Sequence, residues 1–277
     1  MADHPITFQH LQAAALSDLG LVRKNNEDRF FADAENGVFL VADGMGGAEA
    51  GEMASEMVKN AVEEVCREKP PAETVQTQAL IDAVNQASAK IRRFAASAGF
   101  TGTGSTVCLL VFDPVNPNRA WTLNAGDSRI YRFHRKGLHQ LTTDHTVATA
   151  AGVADAKALP AAFRGVLTRA AGLEDRLTME IKTEDVAQDD VFLLCSDGLS
   201  NMVPDKTLAR ILKRTRKAAP AETAAALIDK AKAAGGVDNI TAVLVKVGEI
   251  PSRFAALNPD PADSADEKTV LRAPALT

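Results

Sequence analysis

The sequence contains few of the side chains that bind soft metals or form disulfide bonds. Its 277 residues include three cysteines and five histidines, and no Cys-x-x-Cys motif occurs, so a zinc site is not expected. Cys66, Cys108 and Cys195 are odd in number and lie in apolar stretches, which favours small buried side chains in a reducing compartment. Any metal chemistry of this chain therefore depends on oxygen ligands.

Long apolar segments and clusters of positive charge are also missing. The longest apolar runs, such as Val107–Phe112, are far too short to cross a bilayer. The formal net charge is -5, and without a basic run the chain is not expected to bind nucleic acid or an anionic membrane. Residues 1–10 have neither the basic nor the apolar part of a secretory signal, so a cytoplasmic protein is expected. Nothing in the sequence requires a dimer, and a monomer is the expectation.

Several hydrolytic mechanisms lack their characteristic residues. A thiol phosphatase needs an arginine six positions after its cysteine, but Ala72, Pro114 and Asn201 stand there. An aspartyl-phosphate mechanism usually needs Asp-x-Asp and a serine hydrolase needs Gly-x-Ser-x-Gly, and neither motif occurs. Residues 99–105, GFTGTGS, resemble a phosphate-binding loop, but they have no lysine before the serine and lead into a predicted strand. A flexible turn is the better interpretation of this segment.

The hydrophobic pattern predicts strands interleaved with pairs of helices. Apolar residues recur every three or four positions in the predicted helices, and Pro70–Pro71 is expected to stop the first of them. Other segments alternate or are continuously apolar, as strands covered on one or both faces are. The predicted helices are 50–65, 80–94, 204–216 and 220–234, and the predicted strands include 30–31, 38–42, 105–112, 121–125, 131–133, 178–184, 190–195 and 240–247. This order, rather than regular βαβ alternation, favours an α+β fold.

Residues 251–277 differ from the rest of the chain. They combine prolines and acidic residues with almost no hydrophobic periodicity, so we expect a disordered tail after a domain that covers residues 1–250. Thr269 follows the acidic pair Asp266–Glu267, which suits phosphorylation and docking by a phosphothreonine reader. A solubilising tail is the simpler interpretation and the one that we favour.

Four aspartates stand at the ends of predicted strands. They are Asp43, Asp127, Asp197 and Asp238, each next to glycine or asparagine. Because a sheet fixes the direction of side chains at its edge, and adjacent glycines let backbone carbonyls approach, these residues can form a ligand cluster. A single Asp–Gly pair would indicate only a turn. Four such acids without a matching lysine or arginine would repel one another unless cations lay between them, and carboxylates select Mg²⁺, Mn²⁺ or Ca²⁺ over zinc.

Six short motifs occur in order along the chain. They are Arg23-x-x-Asn26–Glu27–Asp28, Asp43–Gly44–Met45–Gly46–Gly47, Gly126–Asp127–Ser128–Arg129, Leu167–Thr168–Arg169–Ala170, Ser196–Asp197–Gly198–Leu199 and Asp238–Asn239–Ile240–Thr241. With these motifs the chain resembles the PPM (type 2C) serine/threonine protein phosphatases in their compact bacterial form, over roughly residues 10–248. The resemblance implies two antiparallel β-sheets packed as a sandwich and flanked on each side by helix pairs, in the order αββα.

The resemblance also implies a centre that holds two core Mn²⁺ or Mg²⁺ ions. Asp43 would bridge both ions, and the Gly44 carbonyl would bind one of them. Asp197 and Asp238 would hold the other ion. Asp127 matches a position that in bacterial relatives binds a weaker third ion together with Asp197.

Other residues of the motifs are implied to support the ions and the substrate. Glu27 and Asp28 would orient metal-bound waters, and Asn239 would support the same ligands. Arg23 matches the residue that grips the substrate phosphate, and its planar fork suits two phosphate oxygens at once. Outside this motif, a surface salt bridge would be the ordinary interpretation of such an arginine.

The implied reaction is hydrolysis of phosphoserine and phosphothreonine by direct attack of a metal-bridged water, without a phosphoenzyme. Phosphorylated proteins and an opposing bacterial serine/threonine kinase are the implied partners. Two alternatives stay open: a hydrolase for another phosphoester, and a non-catalytic phosphoprotein-binding module. The presence of all four acids speaks against the second.

Met45 departs from the pattern of eukaryotic members, which commonly carry at this position a histidine that is proposed to protonate the leaving alkoxide. Here the proton must come from elsewhere, for example from a metal-bound water. His145 is a weak candidate, and a solvated or structural histidine is the favoured interpretation. It stands near the start of residues 144–166, which have no clear period and match the family's variable flap beside the active site, where substrate choice is thought to be tuned.

Overall fold

The described part of the chain ends before the predicted tail. A computed structural model describes residues 8–68, 77–135, 137–153, 158–174 and 176–250. Three sequence predictions fall outside these ranges, namely the disordered tail at 251–277, the modification of Thr269 and the helix stop at Pro70–Pro71. They stay predictions.

The strands of the described residues form two antiparallel sheets. Along the chain they are β1 (Leu11–Asp18), β2 (Asp28–Asp33), β3 (Val38–Met45), β4 (Gly104–Ser105), β5 (Val107–Phe112), β6 (Arg119–Ala125), β7 (Arg129–His134), β8 (Gly137–Gln140), β9 (Glu180–Asp185), β10 (Val191–Cys195) and β11 (Ile240–Val247). One sheet has the spatial order β1-β11-β10-β7-β8. The other has the order β2-β3-β5-β6-β9, with β4 paired to β3.

Helices cover the outer face of each sheet. Along the chain, the helices of the described residues are α1 (Ala48–Glu68), α2 (Thr77–Ala98), α3 (Val147–Ala150), α4 (Asp197–Ser200), α5 (Asp205–Thr215) and α6 (Pro220–Ala233), with a 3₁₀ turn at Ala161–Phe163. Helices α1 and α2 pack on the sheet that contains β3. Helices α5 and α6 pack on the sheet that contains β10 and β11. The layers confirm the predicted α+β sandwich of two antiparallel sheets with helices outside.

Strand β3 explains why the central strands are continuously apolar. Val38, Leu40 and Ala42 pack in the cluster formed with α1 and α2, whereas Phe39 and Val41 belong to the cluster between the sheets. All five side chains are fully buried. A strand that is covered on both faces has no polar side, so the usual alternation disappears.

Aromatic contacts join the two sheets. Phe112 of β5 meets Phe39 of β3, in its own sheet, edge-on with ring centroids 6.0 Å apart. It meets Phe192 of β10, in the other sheet, in the same way at 5.7 Å. Edge-to-face pairs of this kind contribute about 0.5–1.5 kcal/mol beyond the burial of their area. The sheets are thereby held in a fixed relation, and so are the loops at their shared edge.

The sequence pattern predicts neither β1 nor β8, and it predicts β4 and β5 as one strand. The pattern does not predict β1, because an alanine-rich segment has weak strand propensity; it forms an edge strand that pairs along its whole length with β11. The predicted strand at 105–112 is divided into β4 and β5. The division occurs at Thr106, whose N–H donates to the Asp43 carbonyl at 2.8 Å.

Helix α6 begins and ends as its sequence predicts. Pro220 occupies its first turn, where the missing N–H costs nothing. Gly236 follows its end with φ of 49°, and its N–H donates to the Ala231 carbonyl at 3.1 Å, which satisfies one carbonyl of the last turn. The ends of α5 and α6 differ only slightly from the predicted 204–216 and 220–234, as helix ends commonly do.

The cysteines are buried and free of disulfide bonds, which confirms their predicted burial. Among the described helices, none combines the length and the hydrophobicity that a membrane span requires.

Candidate metal and phosphate site

The register of β2 and β3 brings two of the predicted acids together. Asp28 lies directly opposite Asp43 in the ladder. The Gly44 N–H donates to the Glu27 carbonyl at 3.1 Å, which continues the contact between the two segments. The first two sequence motifs therefore share one edge of this sheet.

The other sheet supplies Asp197 and Asp238 at the same edge. Strands β10 and β11 are antiparallel neighbours, with Cys195 opposite Ala242, so the end of β10 lies beside the beginning of β11. Asp197 follows that end, and Asp238 precedes that beginning. The carboxyl groups of Asp43 and Asp197 lie close enough for each to affect the pKa of the other, so acids from both sheets meet.

Asp127 reaches the same place from the turn between β6 and β7. Its charge acts on Asp43 and on Asp197. Thr106 braces the turn, because its hydroxyl accepts from the Asp43 N–H at 2.9 Å and lies 2.8 Å from the Ser128 hydroxyl. The sequence gives no signal for this role of Thr106, since a threonine beside an apolar run is unremarkable there.

The converging residues line a cleft of about 450 Å³. Its lining consists of Arg23, Glu27, Asp43, Gly44, Met45, Gly46, Gly47, Thr106, Asp127, Arg164, Gly165, Leu167, Asp197 and Asp238. Of the predicted site residues, Asp28 and Asn239 are outside this lining, but each contacts a residue within it. The structure thus brings the whole predicted set together.

Burial and mutual repulsion disfavour the charged forms of these carboxyl groups. Burial, followed by the charges of Asp28 and Asp197, raises the pKa of Asp43 well above its usual range. Burial and the charge of Asp197 raise the pKa of Asp127 to about 8, and burial raises the pKa of Asp28 to about 7. Burial and the charge of Asp238 raise the pKa of Asp197 to about 6. A bound cation would relieve this repulsion.

Asp28 is held by the hydroxyl groups of two residues that belong to the sequence motifs but had no predicted role. The hydroxyls of Ser196 and Thr241 each donate to its Oδ2 at 2.7 Å. Its Oδ1 is buried and has no hydrogen-bond partner. One oxygen of this carboxylate is therefore fixed by the protein, and the other is open to a polar ligand.

Asn239 connects three loop segments through hydrogen bonds of its side chain. Its Nδ2 donates to the carbonyls of Leu19 and Asn25, both at 3.0 Å. Its Oδ1 accepts from the Glu27 N–H at 2.9 Å. These bonds set the position of the loop that carries Arg23 relative to the beginning of β11.

Arg23 forms an ion pair with Asp238 at the mouth of the cleft. Its Nη2 lies 2.6 Å from Oδ2 of Asp238, and its side chain is 47% exposed. Partial burial lowers the pKa of Arg23, but the hydrogen bond to Asp238 and the charges of Glu27 and Asp43 outweigh it and raise the pKa overall. The sequence-based statement that the acids have no matching cation is therefore wrong for Asp238. Because exposed ion pairs are weak, Arg23 can exchange this partner for another anion.

The donor set of the cleft suits a hard cation. Among the described residues, no three Asp, Glu, His or Cys side chains are arranged to hold one metal ion as they stand, and Arg23 engages the carboxylate of Asp238. A cation that bound Oδ2 of Asp238 would compete with that arginine. The acidic residues that line the cleft offer carboxylate oxygens, and the buried Oδ1 of Asp28 lacks a partner; both observations fit Mg²⁺ or Mn²⁺ better than zinc.

His145 is absent from the described residues that line the cleft, whereas Met45 lines it. The Nδ1 atom of His145 accepts from the Gly126 N–H at 3.2 Å, and its Nε2 lies 3.3 Å from Nη1 of Arg169. Burial and the Arg169 charge lower the pKa of His145. These contacts support the structural interpretation that the sequence favoured for this histidine.

The segment 144–166 borders the cleft, as the resemblance implied. Arg164 and Gly165 from this segment line it. Arg164 has no distinctive sequence context, because the segment has no periodicity that would indicate which side chains point inward.

Replacing Gly51 by alanine is expected to destabilise the protein by about 1–3 kcal/mol. A Cβ atom at Gly51 would overlap Oε2 of Glu27 and would lie 3.1 Å from the carbonyl carbon of Gly44, so the Glu27 carboxylate, whose residue is only 8% exposed, would have to leave its place in the site. The sign of this change in stability is informative, because replacing glycine by alanine inside a helix otherwise stabilises it by about 1 kcal/mol. Urea denaturation of the metal-free protein measures the difference. Unchanged or increased stability would argue against this close packing.

The metal-free protein is expected to lose stability as the pH rises from about 5 to 8. The native pKa values of Asp127 and Asp28, about 8 and about 7, lie above the value of about 3.9 for an unfolded aspartate. The native state therefore binds these protons more tightly than the unfolded state, so the free energy of unfolding falls as they dissociate. Thermal melts in chelator-containing buffers measure the effect, and Asp127→Asn should flatten the curve. A wild-type stability that rose through this interval would contradict the raised pKa values.

Comparison with known proteins identifies relatives over most of the chain. Residues 22–231 match the family model described as protein phosphatase 2C. The serine/threonine phosphatase stp of Listeria monocytogenes is 32% identical over 247 residues, which cover 85% of this chain and 96% of that protein. The serine/threonine protein phosphatase PstP of Mycobacterium tuberculosis is 35% identical over 244 residues, which cover 86% of this chain and 45% of PstP.

Solved structures have the same fold. The structure of Mycobacterium tuberculosis PstP has 34% identity and a TM-score of 0.73, with 86% of this chain and 99% of that chain covered. The catalytic domain of PstP in complex with two manganese ions has 34% identity and a TM-score of 0.72, with the same shares covered. PppA, a regulatory component of the type VI secretion system in Pseudomonas aeruginosa, has 30% identity and a TM-score of 0.76, with 86% and 98% covered. The chain therefore belongs to the protein phosphatase 2C (PPM) family of serine/threonine phosphatases.

Proposed function

We propose that this chain is a metal-dependent protein phosphatase that hydrolyses phosphoserine and phosphothreonine. The observation that carries the proposal is that Asp43, Asp127, Asp197 and Asp238 line one cleft with Arg23 at its mouth. Acids alone could bind a structural cation, but an arginine beside them also offers a site for an anion. This combination suits a phosphate ester held between cations and a guanidinium group.

The acids would hold two divalent cations. Asp43 would bridge them, with the Gly44 carbonyl on one ion and with Asp197 and Asp238 on the other. The mutual effect of the Asp43 and Asp197 carboxyl groups on their pKa values supports this, because neighbouring acids favour a cation or a proton between them. The relative that was solved with two manganese ions favours Mn²⁺ or Mg²⁺. A weaker third ion would lie between Asp127 and Asp197, whose charges interact.

The protein side chains would position the reactants around these ions. When bound, the cations lower the pKa of a water and offset the charge of the phosphate. Asp28 would orient water through its free Oδ1, and Glu27 would assist from the lining of the cleft. Arg23 would turn from Asp238 to two phosphate oxygens, where its planar fork matches their spacing.

The substrates would be phosphorylated proteins, and a serine/threonine kinase in the cytoplasm would oppose the enzyme. The names of the relatives, which are serine/threonine phosphatases, support this substrate class. The exposed Arg23 at the cleft mouth also supports it, because a phosphorylated residue on a protein surface could reach this arginine. A monomer would suffice, since one chain supplies all the proposed ligands.

Phosphate release from a phosphothreonine peptide, measured after chelation and again after addition of Mn²⁺, tests the proposal. Release is expected only with the metal, and it is expected to exceed release from nucleotides. Asp197→Asn should abolish it, because one ion would lose a ligand. Asp229→Asn is the matched control, since Asp229 is exposed on α6.

The other outcomes distinguish the alternatives. Peptide binding without hydrolysis would favour a non-catalytic phosphoprotein-binding module, and a preference for nucleotides would favour a different phosphoester substrate. Full activity after chelation, or in Asp197→Asn, would contradict the metal assignment.

A further inference from the structure

Three large apolar side chains are exposed beside the mouth of the cleft. Leu21, Val22 and Val237 are 62%, 65% and 48% exposed, and we call them the apolar rim. Val22 precedes Arg23 in the chain, and Val237 precedes Asp238. Since Arg23 and Asp238 form the ion pair at the cleft mouth, the backbone of the apolar rim adjoins the proposed position of the phosphate, while its three side chains are outside the described lining of the cleft.

Contacts between two loops hold the apolar rim in place. The Leu21 N–H donates to the Gly236 carbonyl at 2.7 Å. Gly20 has φ of 77°, and a Cβ atom there would overlap the Asp238 carbonyl, so the two backbones touch. Side chains on such a fixed backbone lose less conformational freedom on binding than side chains on a mobile loop.

The hydrophobic core does not use these side chains. Leu21, Val22 and Val237 belong to none of the three buried clusters of the described residues. Scattered exposed apolar residues need no explanation, but a group of them beside a cleft is characteristic of a binding surface. The grouping around the ion pair of Arg23 therefore indicates a ligand with an apolar part.

We propose that the apolar rim binds an apolar side chain that neighbours the phosphorylated residue of a protein substrate. This inference rests on the proposed function, because it takes the Arg23 end of the cleft as the phosphate position. Consecutive Cα atoms of a peptide are about 3.8 Å apart, so a residue adjacent to the phosphorylated one can extend from Arg23 to the rim. Because the rim adjoins the proposed phosphate position, we take its ligand to be a segment of the same substrate.

Two phosphothreonine peptides that differ only by leucine or serine beside the phosphorylated residue test the proposal. With Mn²⁺, the wild-type protein is expected to have a KM about three- to tenfold lower for the leucine peptide, as burial of part of one apolar side chain implies. Leu21→Ser and Val237→Ser are each expected to remove most of this preference. Both should leave hydrolysis of para-nitrophenyl phosphate nearly unchanged, because this small ester does not extend to the rim.

Val115→Ser is the matched control. Val115 is 60% exposed and lies in the turn between β5 and β6, at the opposite end of the sheet from Asp43. This variant should keep the preference for the leucine peptide. Thermal melts of each variant confirm that it is folded.

The outcomes distinguish a failure of the apolar-rim proposal from a failure of the proposed function. The apolar-rim proposal alone would be overturned if the wild-type protein had equal KM values for both peptides. A preference for the leucine peptide that survived in both serine variants would overturn it as well. Failure to hydrolyse either peptide or the small ester with Mn²⁺ would overturn the proposed function and the rim with it. Sedimentation that revealed a dimer lost in Leu21→Ser would identify a second copy of the chain as the occupant and would also overturn the proposal.

Discussion

Asp43→Asn is expected to lower kcat/KM for a phosphothreonine peptide by about a thousandfold or more. The proposed role puts this carboxylate between both cations, and its loss removes several kcal/mol of transition-state stabilisation. Each tenfold in rate corresponds to about 1.4 kcal/mol, so a loss of about 4 kcal/mol gives this factor. Steady-state phosphate release at saturating Mn²⁺ measures it.

The same substitution is expected to stabilise the metal-free protein. At neutral pH, burial and the charges of Asp28 and Asp197 disfavour the ionised form of Asp43 and raise its pKa. Asparagine has almost the same volume and avoids the cost of burying a charge or of binding a proton at neutral pH. Relief of about 1–2 kcal/mol would raise the Tm by roughly 2–8 °C in a domain of this size. Thermal melts with chelator present measure the shift.

Asp229→Asn again provides the control and should change neither property. Mn²⁺ is expected to raise the Tm of the wild-type protein much more than that of Asp43→Asn, because ligand binding stabilises only a state that holds the ligand. A loss of activity together with a loss of stability would indicate a folding defect. Retained activity would remove Asp43 from the metal centre.

Arg23→Ala is expected to lower kcat/KM by roughly tenfold to a hundredfold, mainly through a higher KM. Hydrogen bonds to charged groups are worth about 1.5–3 kcal/mol, and the proposed contact forms already when the substrate binds. Arg23→Lys should recover only part of the loss, because an ammonium group cannot make the paired contact of a guanidinium group. Kinetics over a range of peptide concentrations give KM and kcat separately.

Arg23→Ala is also expected to change stability in the direction opposite to Asp43→Asn. It removes the cation that pairs with Asp238 and leaves more net negative charge in the cleft. Lys24→Ala removes a neighbouring positive charge that is exposed and serves as the control. Equal KM increases in both variants would indicate a general loss of positive potential, and an unchanged KM in Arg23→Ala would contradict a phosphate contact.

The positions of the acids could be predicted because their local context is distinctive. Asp43 and Asp197 follow continuously apolar strands, and such strands must be covered on both faces, so their ends are confined to the edges of a sandwich. The pattern could not predict that Asp43 and Asp197 lie at the same edge of the sandwich. That follows from the antiparallel order of the sheets, which the resemblance implied and the residue pattern alone did not.

The residues that brace the site were harder to predict. Thr106 accepts from the Asp43 N–H, and it has no distinctive sequence context. Ser196 and Thr241 belong to the six motifs, but the motifs do not indicate that their hydroxyls donate to Asp28. Strand β1 was missed because its alanines carry little strand propensity, and only its pairing with β11 defines it. In each case the long-range contact supplies information that a local pattern lacks.

Diffraction at the manganese absorption edge, from crystals grown with Mn²⁺, is the most direct test of the central claim that separate loops share divalent cations. The expected result is two anomalous peaks about 2–2.5 Å from the Asp43 carboxylate, one of them also bound by Asp197 and Asp238. Manganese bound only at other residues, with these three side chains directed to separate regions, would contradict it.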